Sequence, residues 1–285
     1  MAELLAERVP FVHAVVVRAQ PPTSVRPGDD AVVLQSGAIE GFVGGQCTAE
    51  SVQVAALGVL ETGAPVLLRI LPEAAATFPE SPGATVVVNP CLSGGAIEIF
   101  LEPRLPSPKI SVVGDTPIAD ALAVMAGPLG FAFSSVPTPP GDAPDDALAV
   151  IICSHGRDEP ESIRWAIGGG VGYVGLVASR KRGKAVIDAM GLTAEERSRL
   201  HSPAGLDIGA RTPDEIALSI MSEIVREMRV GSLAPAWRRM TAEPVQSVDP
   251  VCGMTVVVGP DTPHRLVGGA EVWFCSPGCR DRYAA

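Results

Sequence analysis

The six cysteines of this chain of 285 residues are Cys47, Cys91, Cys153, Cys252, Cys275 and Cys279, and they fall where the sequence could do chemistry. Three of them lie in the last stretch, within DPVCGM and WFCSPGC. Cys252 sits on a turn-forming Pro/Gly segment. Cys275 and Cys279 are spaced i, i+4, which on a helix stacks them on one face. Three thiolates converging on one ion make a soft or borderline metal site. His264 is the candidate for a fourth ligand. The alternative reading is a small core holding inert cysteines. Residues 248–285 are too few to bury much apolar surface, so a thiolate-bound ion would contribute strongly to their folding.

Two further cysteines each adjoin paired glycines at the end of an expected strand: Gly44-Gly45-Gln46-Cys47, and Cys91 with Gly94-Gly95. Glycines there let backbone N–H groups approach an anion, and a helix starting at Gln46 would favour negative charge and lower the pKa of Cys47. The spacing predicts that Cys47 and Cys91 converge on one ligand as reactive thiols, with Gly44, Gly45, Gln46, Gly94 and Gly95 around it. Two unrelated turns would give the same pattern.

A third group follows the expected strands of the middle region. Gly114-Asp115 opens the turn GDTPIA, which keeps only the first glycine of a dinucleotide fingerprint and adds a carboxylate that repels pyrophosphate. Ser154-His155 follows one strand and Ser179-Arg180-Lys181-Arg182 another. Carboxyl ends of parallel strands are where ligands bind, and cations opening a helix run against its dipole unless an anion is held there. A solvated basic surface is the plainer alternative. Ser154 and His155 do not make a triad, because adjacent residues in an extended segment point to opposite sides.

The elements that carry these residues fall into three regions. Residues 1–106 alternate β-branched strands with loops around one helix, which begins after Gly45 and stops at Gly63-Ala64-Pro65. Pro-rich PRLPSP bounds this region. Residues 107–230 alternate strand and helix, and the continuous apolar strands between helices predict a buried parallel sheet of doubly wound, Rossmann-like type. That region closes on a long amphipathic helix with Thr212 as N-cap, Pro213 at its first position and Glu215 in capping-box position. Residues 231–247 read as a linker, and 248–285 as a small metal-binding-like domain. The fold class is therefore α/β, with a mixed α+β N-terminal domain.

Composition narrows the function further. Apolar residues make up 47% and charged residues 19%, so disorder is excluded, and 22 basic against 32 acidic residues give a net charge of -10, the wrong sign for gripping a phosphate backbone. No nucleic-acid partner and no membrane span are expected. The start of the chain lacks a signal-peptide pattern, and the clustered thiols suit a reducing compartment, so a cytoplasmic location is expected.

From about residue 10 to 228 the chain resembles the XdhC/CoxF (CoxI)-type maturation factors of the molybdenum hydroxylases. The resemblance rests on RPGDDAVVL, GFVGGQC, CLSGGAIEIFLEP, IICSHGRD, GLVASRKR and SPAGLDIGARTPDEIALSIMSEIV; DPVCGM and WFCSPGC separately resemble a YHS domain. The resemblance implies a chaperone that binds the molybdenum cofactor (molybdopterin), assists its sulfuration and inserts it into an apo molybdenum hydroxylase. The client would be of carbon monoxide dehydrogenase or xanthine dehydrogenase type. It implies a cysteine desulfurase as a further partner, a homodimer, and zinc or copper in the YHS domain. Copper beside molybdenum in carbon monoxide dehydrogenase favours the CoxF-like assignment. Many relatives carry a glycine-rich loop where this chain has GDTPIA, which argues against a nicotinamide role. A nicotinamide-dependent oxidoreductase and a metallochaperone acting through the tail are the alternatives.

Overall fold

The computed structural model describes the chain except residues 73–80, 89–94, 138–140, 142, 143, 145, 232, 236–244, 260, 261 and 285. Cys91 and Gly94 therefore lie outside the described residues. The chain forms two compact units, Met1–Pro106 with Thr241–Ala285, and Ser107–Met240. Among the described residues no helix is long and apolar enough to cross a membrane.

In the first unit, α1 (Ala2–Ala6) precedes a mixed six-stranded sheet built from β1 (Phe11–Gln20), β2 (Asp30–Leu34), β3 (Ile39–Gly41), β4 (Val66–Leu71), β5 (Thr85–Val88) and β6 (Ala96–Arg104), in the order β3-β2-β1-β6-β4-β5. Its pairings are antiparallel except for β4 with β5. The helix α2 (Gln46–Thr62) lays Val52, Ala56, Val59 and Leu60 against Val12, Val33, Leu68 and Ile99 of the sheet. Each such Val, Leu or Ile side chain contributes about 1.5–3 kcal/mol by burial. Gly63 in the left-handed region ends the helix, as its sequence position predicts.

Residues 245–284 belong to this same unit rather than standing apart from it. They form a hairpin of β12 (Gln246–Val248) with β13 (Thr255–Val257), a second of β14 (His264–Val267) with β15 (Ala270–Trp273), and the short helix α8 (Pro277–Arg282). Val256, Phe274, Cys275 and Cys279 are their buried centre, and α2 packs against β13.

The second unit is a five-stranded, wholly parallel sheet of β7 (Lys109–Val113), β8 (Ala132–Val136), β9 (Ala147–Ile152), β10 (Tyr173–Leu176) and β11 (Leu200–His201), in the order β11-β10-β9-β7-β8. The helices α3 (Pro117–Ala126) and α7 (Pro213–Val230) cover one face, with Leu122 and Ile220 against Ile110 and Ile151. The opposite face takes α4 (Glu159–Gly168) and α5 (Arg180–Ala189), with Ile163 and Ala166 against Val150 and Ile152. All six residues of β9 are buried, so the run ALAVII feeds both cores. The capping box of α7 forms as its sequence predicts: Glu215 N–H donates to Thr212 Oγ1, and the Glu215 carboxylate accepts from Thr212 N–H. Neither β11 nor the short helix α6 (Ala194–Ser198) is expected from the sequence pattern. Strand order reverses between β7 and β9, which opens a crevice at their carboxyl ends.

Candidate functional site

In the first unit the thiol cluster is built around Asp249, a residue that the sequence pattern does not single out. Its carboxylate is fully buried, and burial alone would raise its pKa. Hydrogen bonds hold it low instead: Oδ1 accepts from Val251 N–H at 2.8 Å and Cys252 N–H at 3.4 Å, and Oδ2 from Cys275 N–H at 2.8 Å. Asp249 also closes the turn DPVCGM through its N–H to the Met254 carbonyl, while Gly253, at φ +75°, supplies the left-handed step. One carboxylate thus joins two distant cysteine loops.

The result brings Cys252 Sγ to 3.5 Å from Cys275 Sγ, and Cys275 Sγ to 3.6 Å from Cys279 Sγ. Cys279 is fixed by the first turn of α8, whose cap Ser276 accepts from Cys279 N–H at 3.2 Å. Cys275 precedes that cap, so the two cysteines meet across a helix start rather than along one helical face. Ligand atoms of Asp249, Cys252, Cys275 and Cys279 all lie within 4.8 Å of one another. His264 is not among them; its Nδ1 faces the Thr262 carbonyl at 3.2 Å and its ring lies against Trp273.

These thiols are free, and separations near 3.5 Å are far from the roughly 2.05 Å of a disulfide. They match the edges, about 3.8 Å, of a tetrahedron whose metal–sulfur arms are about 2.3 Å. Burial pushes the Cys252 and Cys279 thiols up, and a hydrogen bond with the Cys47 thiol, then burial, pushes Cys275 up. Packed sulfurs of this kind ionise together only when a cation replaces their protons. The donor set therefore fits a soft or borderline metal.

Cys47 lies in the first turn of α2, after Gly44 at φ +132°, the cap Gly45 and exposed Gln46. The shared motif groups it with Cys91; the described contact of its thiol is with Cys275. Gly95 makes a close backbone approach, since a Cβ there would sit 2.0 Å from the Pro22 carbonyl oxygen. One turn along α2, Glu50 has a buried Oε2 without a hydrogen-bond partner among the described residues, and burial raises its carboxyl to about 7. A cavity of about 350 Å³ lies beside the cluster, between Ser51 and Ala55 of α2, Val87 of β5, and Cys252 and Met254.

In the second unit the expected ligand positions gather at the carboxyl ends of the strands. Gly114, at φ +109°, lets the turn after β7 pass so close to β9 that a Cβ would meet the Cys153 carbonyl oxygen at 2.7 Å. Asp115 follows it, and Thr116 caps α3 through Ala119 N–H. After β9, Ser154 is buried and donates to the Arg157 carbonyl at 2.6 Å, while exposed His155 (φ +55°) and Asp158 (φ +48°) adopt left-handed backbone. Non-glycine residues held this way carry strain that collects at ligand sites. Cys153 is buried, its thiol pushed up to about 11, and is a core residue.

The cluster after β10 divides by role. Ser179 caps α5 by accepting from Arg182 N–H. Arg182 clasps both oxygens of buried Glu159 at 2.6 and 2.5 Å, and Glu159 in turn accepts from Gly156 N–H at 3.0 Å. Arg180 pairs with exposed Asp207 at 2.6 Å. Lys181 is exposed and has no ion pair among the described residues. A cavity of about 510 Å³ lies here, lined by Ser179, Arg180, Arg182, Gly205, Asp207 and Ser219.

Glu223 of α7 fastens the far side of this cavity, and its role is also missed from the sequence. Its carboxylate accepts from Tyr173 Oη at 2.5 Å and Gly205 N–H at 2.8 Å and meets His201 Nδ1 at 3.3 Å. Burial would raise it, but these hydrogen bonds outweigh burial and hold it at about 2. Gly205, at φ +97°, passes so near α7 that a Cβ would lie 2.3 Å from Ser219 Oγ.

Comparison with known proteins agrees with this architecture. Residues 4–70 match the family model described as the XdhC and CoxI family, and residues 110–224 match that of the XdhC Rossmann domain. Uncharacterized protein YqeB of Escherichia coli (strain K12) is 27% identical over 253 residues, 79% of this chain and 45% of that protein. A probable xanthine dehydrogenase subunit of Bacillus subtilis (strain 168) is 34% identical over 83 residues, 29% of this chain and 24% of that protein. The chain thus spans less than half the length of either curated relative. A crystal structure described as a xanthine dehydrogenase from Bacillus halodurans aligns with a TM-score of 0.39 and 16% identity, covering 81% of this chain and 96% of that one. With the N-terminal region and the parallel-sheet unit both matched by models of one family, the chain belongs to the XdhC and CoxI family.

Proposed function

We propose that this chain is a maturation factor for a molybdenum hydroxylase of the xanthine dehydrogenase or carbon monoxide dehydrogenase type. It binds the molybdenum cofactor, holds it while a cysteine desulfurase supplies sulfur, and passes it to the apo-enzyme. The observation that carries this reading is the XdhC family match over both regions, joined to a strand-end crevice of the kind that holds phosphorylated ligands. The cofactor is cargo, and its phosphate is the group the crevice recognises. Gly114 supplies close backbone approach beside the strained His155, while exposed Lys181, and Arg180 on exchanging Asp207 for the anion, supply charge. Arg182 shapes the site through Glu159 rather than by reaching the anion. Asp115, on the same turn, discriminates against a diphosphate and so against a nicotinamide dinucleotide.

The tail adds a YHS-type metal site of Cys252, Cys275 and Cys279, with Asp249 orienting two of them. The sulfur-handling role expected of Cys47 and Cys91 falls to Cys91 alone, because the Cys47 thiol is engaged with Cys275.

Native mass spectrometry of the full chain, expressed in a host that makes the molybdenum cofactor, tests the binding step. The expected mass includes the pterin cofactor. Arg180→Glu with Lys181→Glu should lower its retention, with a loss that grows with salt. Protein that emerges without a pterin from such a host would overturn the proposal.

A further inference from the structure

We propose that Cys47 is the fourth thiolate of a closed, tetrahedral site for one divalent ion of the zinc class, so that a single ion clamps the start of α2 to the tail. The inference rests on reading the three tail cysteines as ligands and goes beyond it by adding a sulfur from the XdhC-type region of the chain.

Three observations point to Cys47. First, the tail by itself offers three sulfurs, and its fourth possible donor is the Asp249 carboxylate. Asp249 lies within reach of the sulfurs, yet its two oxygens already accept from three backbone N–H groups. With three of its roughly four lone-pair sites taken by N–H groups, the carboxylate orients Cys252 and Cys275 and is a weaker fourth donor to a soft ion than a thiolate. His264, the other candidate, is turned to Thr262 and Trp273. Second, α2 packs on β13, and Ser51 borders the same cavity as Cys252. Ser51 lies one turn after Cys47 and donates to its carbonyl at 3.1 Å, so Cys47 belongs to the helix face turned to the tail. Third, the Cys47 and Cys275 thiols are hydrogen-bond partners, which adds Cys47 to the Cys252–Cys275–Cys279 chain of contacts.

An all-sulfur, four-coordinate donor set selects zinc-class ions, and with no open position such a site is structural rather than catalytic. Each of the four thiols releases its proton to solvent as its sulfur binds, leaving the filled site with a charge of -2 and no change of oxidation state. The first-turn position of Cys47 in a 17-residue helix places free backbone N–H groups beside that negative charge.

The test uses the full chain and zinc alone. Zinc-edge X-ray absorption counts the sulfurs around the bound ion, and chelator competition gives its affinity, for the wild type, Cys47→Ser and Cys252→Ser. The expected result is one zinc with four sulfurs in the wild type. In Cys47→Ser the shell falls to three sulfurs and one lighter atom, and binding weakens by at least about tenfold, since even outer-shell changes cost about 10–100-fold. Three sulfurs in the wild type with Cys47→Ser unchanged would overturn the role of Cys47 and leave the tail site standing. A wild type that binds no zinc, or a Cys252→Ser variant that binds it unchanged, would remove the tail site and the proposal together. Alkylation mapping of the wild type gives a readout independent of how the variants fold: Cys47 should be protected when zinc is bound and modified once it is stripped. Equal modification in both states would also overturn the proposal.

Discussion

Replacing Glu223 by Gln should destabilise the parallel-sheet unit by an amount set by its ionisation. The folded protein holds this carboxyl at about 2 against an ordinary 4.5. At about 1.36 kcal/mol per pH unit, that difference corresponds to roughly 3 kcal/mol. Because the folded pKa is depressed, the stability is fully present above about pH 4.5 and is lost as pH falls toward 2. Glutamine keeps the shape but not the charge, and its NH2 group faces either the Tyr173 hydroxyl and Gly205 N–H or the His201 ring. Urea unfolding at pH 7, followed by pulsed hydrogen exchange in peptides of β10 and α7, reads this unit separately from the other. With a slope of about 2 kcal/mol/M the midpoint should fall by about 1–2 M. The gap between wild type and variant should close as pH drops from about 4.5 to 2. A variant within about 0.5 kcal/mol of wild type at pH 7, or a gap that stays constant with pH, would show that the Glu223 charge does not stabilise this unit.

Gly205→Ala should cost about 1–3 kcal/mol in the same assay, because it strains φ +97° and places a Cβ 2.3 Å from Ser219 Oγ and 2.9 Å from the Ile220 nitrogen; an unchanged midpoint would mean that the 203–209 loop is not held against α7. Arg182→Met should leave buried Glu159 with the Gly156 N–H but without its charge partner and cost about 3 kcal/mol, read by exchange in peptides of α4 and α5; unaltered protection would show that Glu159 finds another cation. Asp249→Ala should orphan three backbone N–H groups, lower zinc affinity at least about tenfold and change Trp273 fluorescence; unchanged affinity would contradict its orienting role.

Local patterns gave most of the elements away. The run ALAVII could only be a strand buried on both faces, and Thr212-Pro213 with Glu215 announced the start of α7. A two-residue strand such as β11 has no period to detect, and α6 is too short for an apolar stripe. The site was less legible, because its key contacts join residues far apart in sequence. Nothing local to Asp249 shows that it accepts from Cys275 N–H, and nothing near Tyr173 shows that its hydroxyl meets Glu223. Arg180, Lys181 and Arg182 look alike in sequence, and only the fold separates the one that clasps Glu159 from the one left exposed. Cys47 and Cys91 share a local motif, but Cys91 lies outside the described residues, and Cys275, the described partner of Cys47, is more than 200 residues away in sequence, beyond any local signal.

Reconstitution of an apo molybdenum hydroxylase reads cofactor transfer itself. Protein purified from a cofactor-producing host is mixed with apo-enzyme from a strain unable to make the cofactor, and hydroxylase activity is followed against the amount of protein added. Activity should rise in proportion to the pterin-loaded protein and be reduced for Arg180→Glu with Lys181→Glu. Loaded protein that keeps its pterin and leaves the apo-enzyme inactive would contradict cofactor transfer.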